Sequence, residues 1–267
     1  MRKVLIGGIL FLLSTVFIYA VSEPEIERLD ANDKYKVIHV HGRILFKKSG
    51  ADMKRGDIYV PGTLLEFITN ESRAAIINKN KGRFVLTGNR RGKVKVLPAA
   101  NNISSRSGAL INIIDLKNHF EGRYVILDKL DVQVGKENFP MNEKQFFYLT
   151  YEHNGEEIAK KLPFEEDHII LDKNEIFKID GEPIPVTEKE MTLYYREDGN
   201  GTKISSFIPV FPNMVDLKAE VSLILEIIDS EPIDKKQDEV AGHIAEFYGK
   251  PQVTQLNDWL EDEFGLK

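Results

Sequence analysis

Val37-Ile-His-Val-His-Gly-Arg-Ile-Leu-Phe46 is a run rich in β-branched and other apolar residues. Such residues favour extended structure, and the polar run Lys47-Lys-Ser-Gly50 that follows is typical of a turn. Similar short runs recur after it, separated by turns that contain Gly or Pro. They cover residues 64–68, 74–78, 83–87 and 94–97. We therefore predict that residues 35–97 form a small, compact β domain.

The same region carries an ordered set of turn glycines and strand residues. In chain order these are Val37…Gly42, Gly50…Lys54-Arg-Gly-Asp57, Pro61-Gly62-Thr-Leu64, Ser72-Arg-Ala-Ala-Ile76 and Lys81-Gly-Arg-Phe-Val-Leu86. This order resembles the FecR-type periplasmic domain. The resemblance implies a FecR-like fold and a relation to regulators that sense siderophore-receptor occupancy and signal to a sigma factor. Those regulators carry a cytoplasmic anti-sigma segment, whereas only Met1-Arg-Lys3 precedes the apolar run here. We therefore expect the domain to be shared, but not the signalling pathway.

The N-terminus has the layout of a secretory signal. Two basic residues precede Val4–Val21, which contains no charged residue. We predict a signal peptide over 1–20, cleaved after Ala20, and a polar linker over 21–34. Export then places the protein in the periplasm or cell envelope of a bacterium. The alternative is an uncleaved anchor in the inner membrane, because residues 4–21 would span roughly 27 Å as a helix.

The absence of cysteine excludes several kinds of covalent modification and metal site. The chain has no Cys, so it cannot be processed as a lipoprotein, form a disulfide or bind a metal through thiolates. Its stability must come from its apolar core.

Charge divides the chain into a basic part and two acidic parts. Residues 34–97 hold 15 Lys and Arg against 4 Asp and Glu, a net charge of +11, whereas 122–212 carry 11 against 18 (−7) and 213–267 carry 5 against 13 (−8). One interpretation is that the basic part binds an anionic partner such as a polysaccharide, a lipid headgroup or an acidic protein. The other is that the oppositely charged parts pack against each other or that their charges are simply solvated. Export argues against a nucleic acid as partner.

Residues 122–212 return to short strands separated by strong turn signals such as Asn154-Gly155. Seven strands in this length suggest an immunoglobulin-like β-sandwich. The strand candidates are 123–127, 131–134, 145–151, 168–171, 175–179, 191–195 and 203–210.

Helices are predicted at the end of the chain and between the two β regions. Apolar residues recur at helical spacing through residues 213–267, which predicts a helical C-terminal region. Residues 98–121 are predicted to form a loop and a short helix, with Leu110, Ile113, Ile114 and Phe120 at helical spacing. The fold class is therefore mainly β, or α+β overall.

The loop before that short helix is the best candidate for a binding site. Arginines flank amide and hydroxyl side chains just before a helix N-terminus, where backbone N–H groups favour an anion. The alternative is a structural connector. The candidate binding residues are Arg90, Arg91, Asn101, Asn102, Ser104, Ser105 and Arg106.

Two further groups of residues are weaker candidates for a functional site. His39 and His41 lie two apart on a strand and would share one face, where we expect an exposed polar surface rather than a metal site. A hydrolase would need Ser107, Asp115 and His119 to converge, although no Gly-x-Ser-x-Gly motif is present. We therefore predict no catalytic residue, metal or cofactor.

Together these features predict an exported, non-enzymatic binding or scaffold protein of the bacterial cell envelope. Its partner would be another envelope protein or an anionic glycan. The alternative is a membrane-anchored signalling or sensor component of FecR-like type.

Overall fold

The structure is a computed structural model that describes residues 33–88, 94–98 and 109–267. The prediction of a mainly β chain with several sheets is confirmed. Within the described ranges, no helix is both long enough and apolar enough to cross a membrane.

The first β region contains eight short strands in two antiparallel sheets. A five-stranded sheet has the order β4-β1-β6-β7-β8, and a three-stranded sheet has the order β3-β2-β5. Tyr35, Ile44, Leu65, Ile76 and Leu86 are among the buried residues between them. The strands are β1 (Tyr35–His41), β2 (Ile44–Phe46), β3 (Ala51–Asp52), β4 (Ile58–Tyr59), β5 (Leu65–Phe67), β6 (Arg73–Asn78), β7 (Gly82–Gly88) and β8 (Val94–Pro98).

The second β region is built around a six-stranded sheet, β12-β11-β17-β18-β9-β19, and a three-stranded sheet, β10-β14-β13. β9 pairs in parallel with both β18 and β19, and the other pairs in these two sheets are antiparallel. One large core joins the two sheets and includes Phe120, Tyr124, Phe147, Leu149 and Phe207. Its strands are β9 (Gly122–Val125), β10 (Lys129–Gln133), β11 (Phe146–His153), β12 (Glu156–Lys161), β13 (Phe164–Glu165), β14 (His168–Asp172), β15 (Lys178–Ile179), β16 (Glu182–Pro183), β17 (Met191–Glu197), β18 (Asn200–Val210) and β19 (Lys250–Pro251).

Five helices complete the described chain. They are α1 (Ile113–His119), α2 (Lys173–Ile176), α3 (Met214–Ile227), α4 (Ile233–Phe247) and α5 (Val253–Phe264). The last three occupy the segment where the apolar spacing predicted helices. Their buried residues, including Leu217, Val221 and Ile224, share one core with Ile38 and Val85 of the first sheet. That core also takes in Val125 and Val210 of the second β region, so the helices are packed against both regions.

Gly249 lets the chain pass from α4 into the second sheet. Its φ is +134°, and a Cβ at this position would lie 2.5 Å from the carbonyl oxygen of Arg123. Because that neighbour is backbone, a side chain would force the two segments apart. Glycine thus permits the parallel pairing of β19 with β9.

In the second β region one predicted strand was wrong in part, and the strands β12, β13 and β16 were not predicted. The segment 175–179, predicted as a strand, begins instead as the end of α2, because the Asp172 side chain accepts a hydrogen bond from the Asn174 backbone N–H at 2.8 Å and caps a helical turn. β12 was not predicted, since Glu156–Lys161 is mostly charged and carries little β propensity. It forms because the Asn154-Gly155 turn folds it back onto β11.

Candidate functional site

The binding residues predicted from the sequence lie outside the described residues. They are Arg90, Arg91, Asn101, Asn102, Ser104, Ser105 and Arg106. Their role stays a prediction. The described chain resumes at Ala109, and the first helix after it is α1.

Helix α1 is short but firmly anchored. The Asn112 side chain accepts a hydrogen bond from the Asp115 backbone N–H at 2.9 Å, which caps its N-terminus. Leu116 and Phe120 are fully buried in the core of the second β region. Near the other end, Lys250 Nζ donates to the carbonyl oxygen of Asn118 at 2.8 Å.

The segment just before α1 is also fixed. Leu110 forms a parallel bridge with Val134, and its backbone N–H donates to the Gln133 carbonyl at 2.9 Å. Asn138 Nδ2 donates to the Ile111 carbonyl at 2.7 Å. Residues 110–119 therefore follow a defined path over the surface.

This anchored segment exposes three isoleucines. Ile111, Ile113 and Ile114 are 54%, 45% and 69% exposed, although isoleucine is among the residues most often buried. Ile113 and Ile114 line an open depression with Phe139 at its buried side and with two asparagines, Asn112 and Asn138. We call these six residues, Ile111 to Ile114 with Asn138 and Phe139, the α1 patch.

The α1 patch combines an apolar centre with polar amide groups. This combination matches the apolar core and polar rim of protein interfaces. The sequence analysis did not predict the α1 patch, because it treated Ile113 and Ile114 only as residues at helical spacing with Leu110 and Phe120. The feature of the sequence that could have predicted the patch is the density of apolar residues in 110–114, where only Asn112 is polar. One face of a seven-residue helix cannot bury them all.

The hydrolase hypothesis gains no support from α1. Asp115 accepts a hydrogen bond from Asn112 Nδ2 at 2.8 Å, and His119 Nε2 lies 2.7 Å from the Tyr124 hydroxyl. Burial, aided by the charge of Lys250, lowers the pKa of His119 to about 4, so the imidazole is neutral at pH 7 and its contact with Tyr124 is a hydrogen bond between neutral groups. Each side chain thus has a structural partner. Ser107 lies outside the described residues.

A second polar cluster joins the first β region to the helices. Glu220 of α3 is 2% exposed and lies 2.7 Å from His39 Nδ1, 2.9 Å from His243 Nε2 and 3.0 Å from the Tyr248 hydroxyl. Arg55 lies 3.6 Å away. The expectation of an exposed face at His39 is therefore wrong. A register shift between Val37 and His39 in the β1–β6 pairing accompanies its turn toward α3, whereas His41 is exposed.

The electrostatics of this cluster favour an ionised Glu220. Burial alone raises its pKa, but hydrogen bonds from His243 and His39 outweigh burial and hold the pKa at about 2. Burial lowers the pKa of His243, which can still donate its Nε2 proton when neutral. Burial and the neighbouring carboxylate raise the pKa of the Tyr248 hydroxyl. The cluster is a charged, hydrogen-bonded contact between the first β region and the C-terminal helices.

Further ion pairs cross the same boundary. Arg83, whose side chain is fully buried, lies 2.7 Å from Glu246 and 3.3 Å from Glu239 of α4. Three more pairs are Lys36–Glu226 at 3.9 Å, Arg55–Asp216 at 3.1 Å and Lys79–Asp229 at 2.9 Å. The basic first region thus packs on the acidic helices, as the second interpretation of the charge pattern proposed. Binding of an external anion by the remaining basic residues is still a prediction.

The described residues contain no group of three or more His, Cys, Asp or Glu side chains placed to hold a metal ion. Comparison of the sequence with protein-family models gave no match, and comparison with curated proteins gave none either.

Proposed function

We propose that this protein is an exported, non-enzymatic binding or scaffold protein of the bacterial cell envelope, and that it binds another envelope protein through the α1 patch. The exposure of Ile111, Ile113 and Ile114 on a well-anchored segment carries this proposal. Scattered surface isoleucines are ordinary, but three within four residues beside an open depression are typical of an interaction site.

The segment that carries the α1 patch is rigidly anchored, which favours binding. A mobile segment would lose conformational entropy when a partner ordered it, which weakens binding. Here the Asn112 cap, the Leu110–Val134 bridge and the buried Leu116 already fix the segment. Covering the three isoleucines would therefore remove apolar surface from water at little ordering cost.

Location and finer fold are part of the same proposal. The charge-free run Val4–Val21 supports export, and the turn pattern of 35–97 supports a FecR-like domain. For 122–212 we propose an immunoglobulin-like sandwich, supported by a core shared between two sheets.

The proposal is tested by affinity purification from envelope fractions of the native bacterium. The variant Ile113→Gln/Ile114→Gln keeps helix propensity and changes only exposed residues, so we expect the same thermal midpoint but loss of the co-purified partner. Val215→Gln is the matched control, because Val215 of α3 is 78% exposed and lies outside the patch. Equal recovery of the partner with all three proteins would overturn the role of the patch.

A further inference from the structure

The outer face of the six-stranded sheet carries a second surface feature, which is aromatic. Phe146 and Tyr148 of β11 and Tyr194 of β17 point away from the core, since their neighbours Phe147, Leu149 and Tyr195 are the buried ones. All three outer rings are partly exposed. We call them the aromatic platform.

The rings of the platform are ordered against each other. Tyr148 and Tyr194 are directly opposite in the β11–β17 register, and their rings are stacked at 5.1 Å with an interplanar angle of 13°. Phe146 meets Tyr148 edge-on at 6.3 Å. Gly201 on the next strand leaves room for Tyr148, because a Cβ there would lie 2.1 Å from the tyrosine hydroxyl oxygen. The platform is thus a defined surface.

Three exposed cations surround these rings. Lys161 of β12 lies with Nζ 4.4 Å from the centre of the Phe146 ring, and the Arg196 guanidinium carbon lies 5.8 Å from the same ring. Lys203 of β18 is the register partner of Tyr194. Since neighbouring strands are about 4.8 Å apart, Lys161 and Lys203 stand roughly 14 Å from each other across four strands. The acidic residues of the same face, Glu152 and Glu157, are register partners toward the other end of β11 and β12. Burial raises the pKa of the Tyr148 hydroxyl, and the charges of Tyr194 and Glu157 add to this effect, so Glu157 lies within electrostatic reach of the platform.

We infer that the aromatic platform is a binding site for an extended anionic glycan, with sugar rings packed against Tyr148 and Tyr194 and their carboxylates paired with Lys161, Arg196 and Lys203. A partly exposed aromatic ring offers an apolar face to the C–H groups of a sugar ring. Lysine and arginine supply charge-assisted hydrogen bonds to carboxylates. Cations spread over about 14 Å suit a chain with one charge per ring better than a single small anion.

A single-stranded nucleic acid would also use stacking and cations. The three cations of this face are fewer than the strongly basic footprint of nucleic-acid sites, and a single-stranded nucleic acid is therefore tested as the competing ligand. The platform is distinct from the α1 patch, so it adds a second ligand to the proposed function and does not depend on it.

The test measures binding of the purified full-length protein to polygalacturonate by affinity gel electrophoresis. The fully methyl-esterified polymer serves as the uncharged counterpart, and oligothymidylate represents single-stranded nucleic acid. Two variants address the two halves of the site: Tyr148→Ala/Tyr194→Ala removes the stacked rings, and Lys161→Gln/Arg196→Gln removes two cations while leaving the rings in place. Lys136→Gln is the control, since Lys136 is exposed and follows β10 of the other sheet.

We expect each double variant to weaken binding of polygalacturonate at least about tenfold, with Lys136→Gln unchanged and the methyl-esterified polymer bound weakly or not at all. Circular dichroism checks that the tyrosine variant folds, and the cation variant keeps the test decisive if it does not. The inference is overturned if polygalacturonate does not bind, if Lys161→Gln/Arg196→Gln binds it like the wild type, or if oligothymidylate binds more tightly. Ile113→Gln/Ile114→Gln should retain glycan binding, so failure here is separable from failure of the protein-binding proposal.

Discussion

His39 and Glu220 are 181 residues apart in the chain, yet His39 Nδ1 lies 2.7 Å from Glu220 Oε1. This contact connects the first β sheet to helix α3 at a point that is almost closed to solvent, since the glutamate is 2% exposed. A buried carboxylate is tolerated only when its oxygens are hydrogen-bonded. Here His243 and Tyr248 bond to the same carboxylate, so the position of the first β region depends on α3 and α4 together.

Glu220→Gln should therefore destabilise the protein by about 2 kcal/mol or more, because an amide nitrogen would face groups that donate protons. Urea denaturation followed by circular dichroism measures the loss. Glu226→Gln is the control on the same helix: its side chain is 69% exposed and pairs with Lys36 at 3.9 Å, so a loss below about 1 kcal/mol is expected. Equal losses in the two variants would contradict a buried contact at Glu220.

Glu220 should also make the stability of the protein depend on pH. The Glu220 pKa is held at about 2 in the folded protein, below the ordinary glutamate value of 4.5. A lowered carboxyl pKa stabilises the fold above the unfolded value and loses that effect as pH falls toward the folded value. The stability difference between the wild type and Glu220→Gln should shrink between about pH 4.5 and pH 2.

Arg83→Met tests the second charged contact between the same regions. The Arg83 side chain is fully buried beside Glu246, so removing it leaves a half-buried carboxylate without its cation. We expect a loss of about 3–5 kcal/mol, partly restored in Arg83→Met/Glu246→Gln. Lys79→Met, at an exposed pair with Asp229, should cost less than about 1 kcal/mol. If Arg83→Met were as mild as Lys79→Met, the packing of β7 on α4 would be wrong.

His119 should make the protein sensitive to acid. Burial, with a smaller contribution from Lys250, lowers its pKa to about 4 from the ordinary histidine value of 6.5, so the unfolded chain binds a proton more readily than the folded one. Stability should fall as pH decreases from about 6.5 to 4, by an amount on the order of 3 kcal/mol. Denaturation midpoints across this pH range measure it. His119→Gln cannot titrate and should show a smaller loss, and an unchanged acid dependence would exclude this histidine.

The sequence predicted those parts of the fold that depend on local patterns. The run 145–151 is rich in aromatic residues, which predicted the strand β11, and the apolar spacing after residue 213 predicted helices where α3 to α5 lie. It did not predict β12, whose charged residues pair only because the Asn154-Gly155 turn returns the chain to β11. Long-range pairing of this kind is invisible to local propensity.

The candidate sites were harder to predict, because they also depend on contacts between residues that are distant in the sequence. Contact between the basic and acidic parts was one of the interpretations of the charge pattern, but the partner of His39 depends on a register shift in β1 and on the placement of α3. Ile113 and Ile114 were predicted only to lie at helical spacing with Phe120, which does not say that they are exposed. Their exposure follows from the Asn112 cap, which sets where α1 begins and therefore which residues face the core.

The most direct measurement is site-specific photo-crosslinking in the native bacterium, with p-benzoylphenylalanine introduced at Ile114. A residue at the centre of the α1 patch should give a discrete crosslinked species containing a second envelope protein, and Ile113→Gln in the same chain should reduce its yield. The same probe at Val215, which is at least as exposed, should give none. No adduct at position 114, or the same adducts at both positions, would contradict the proposal that the α1 patch binds a protein partner.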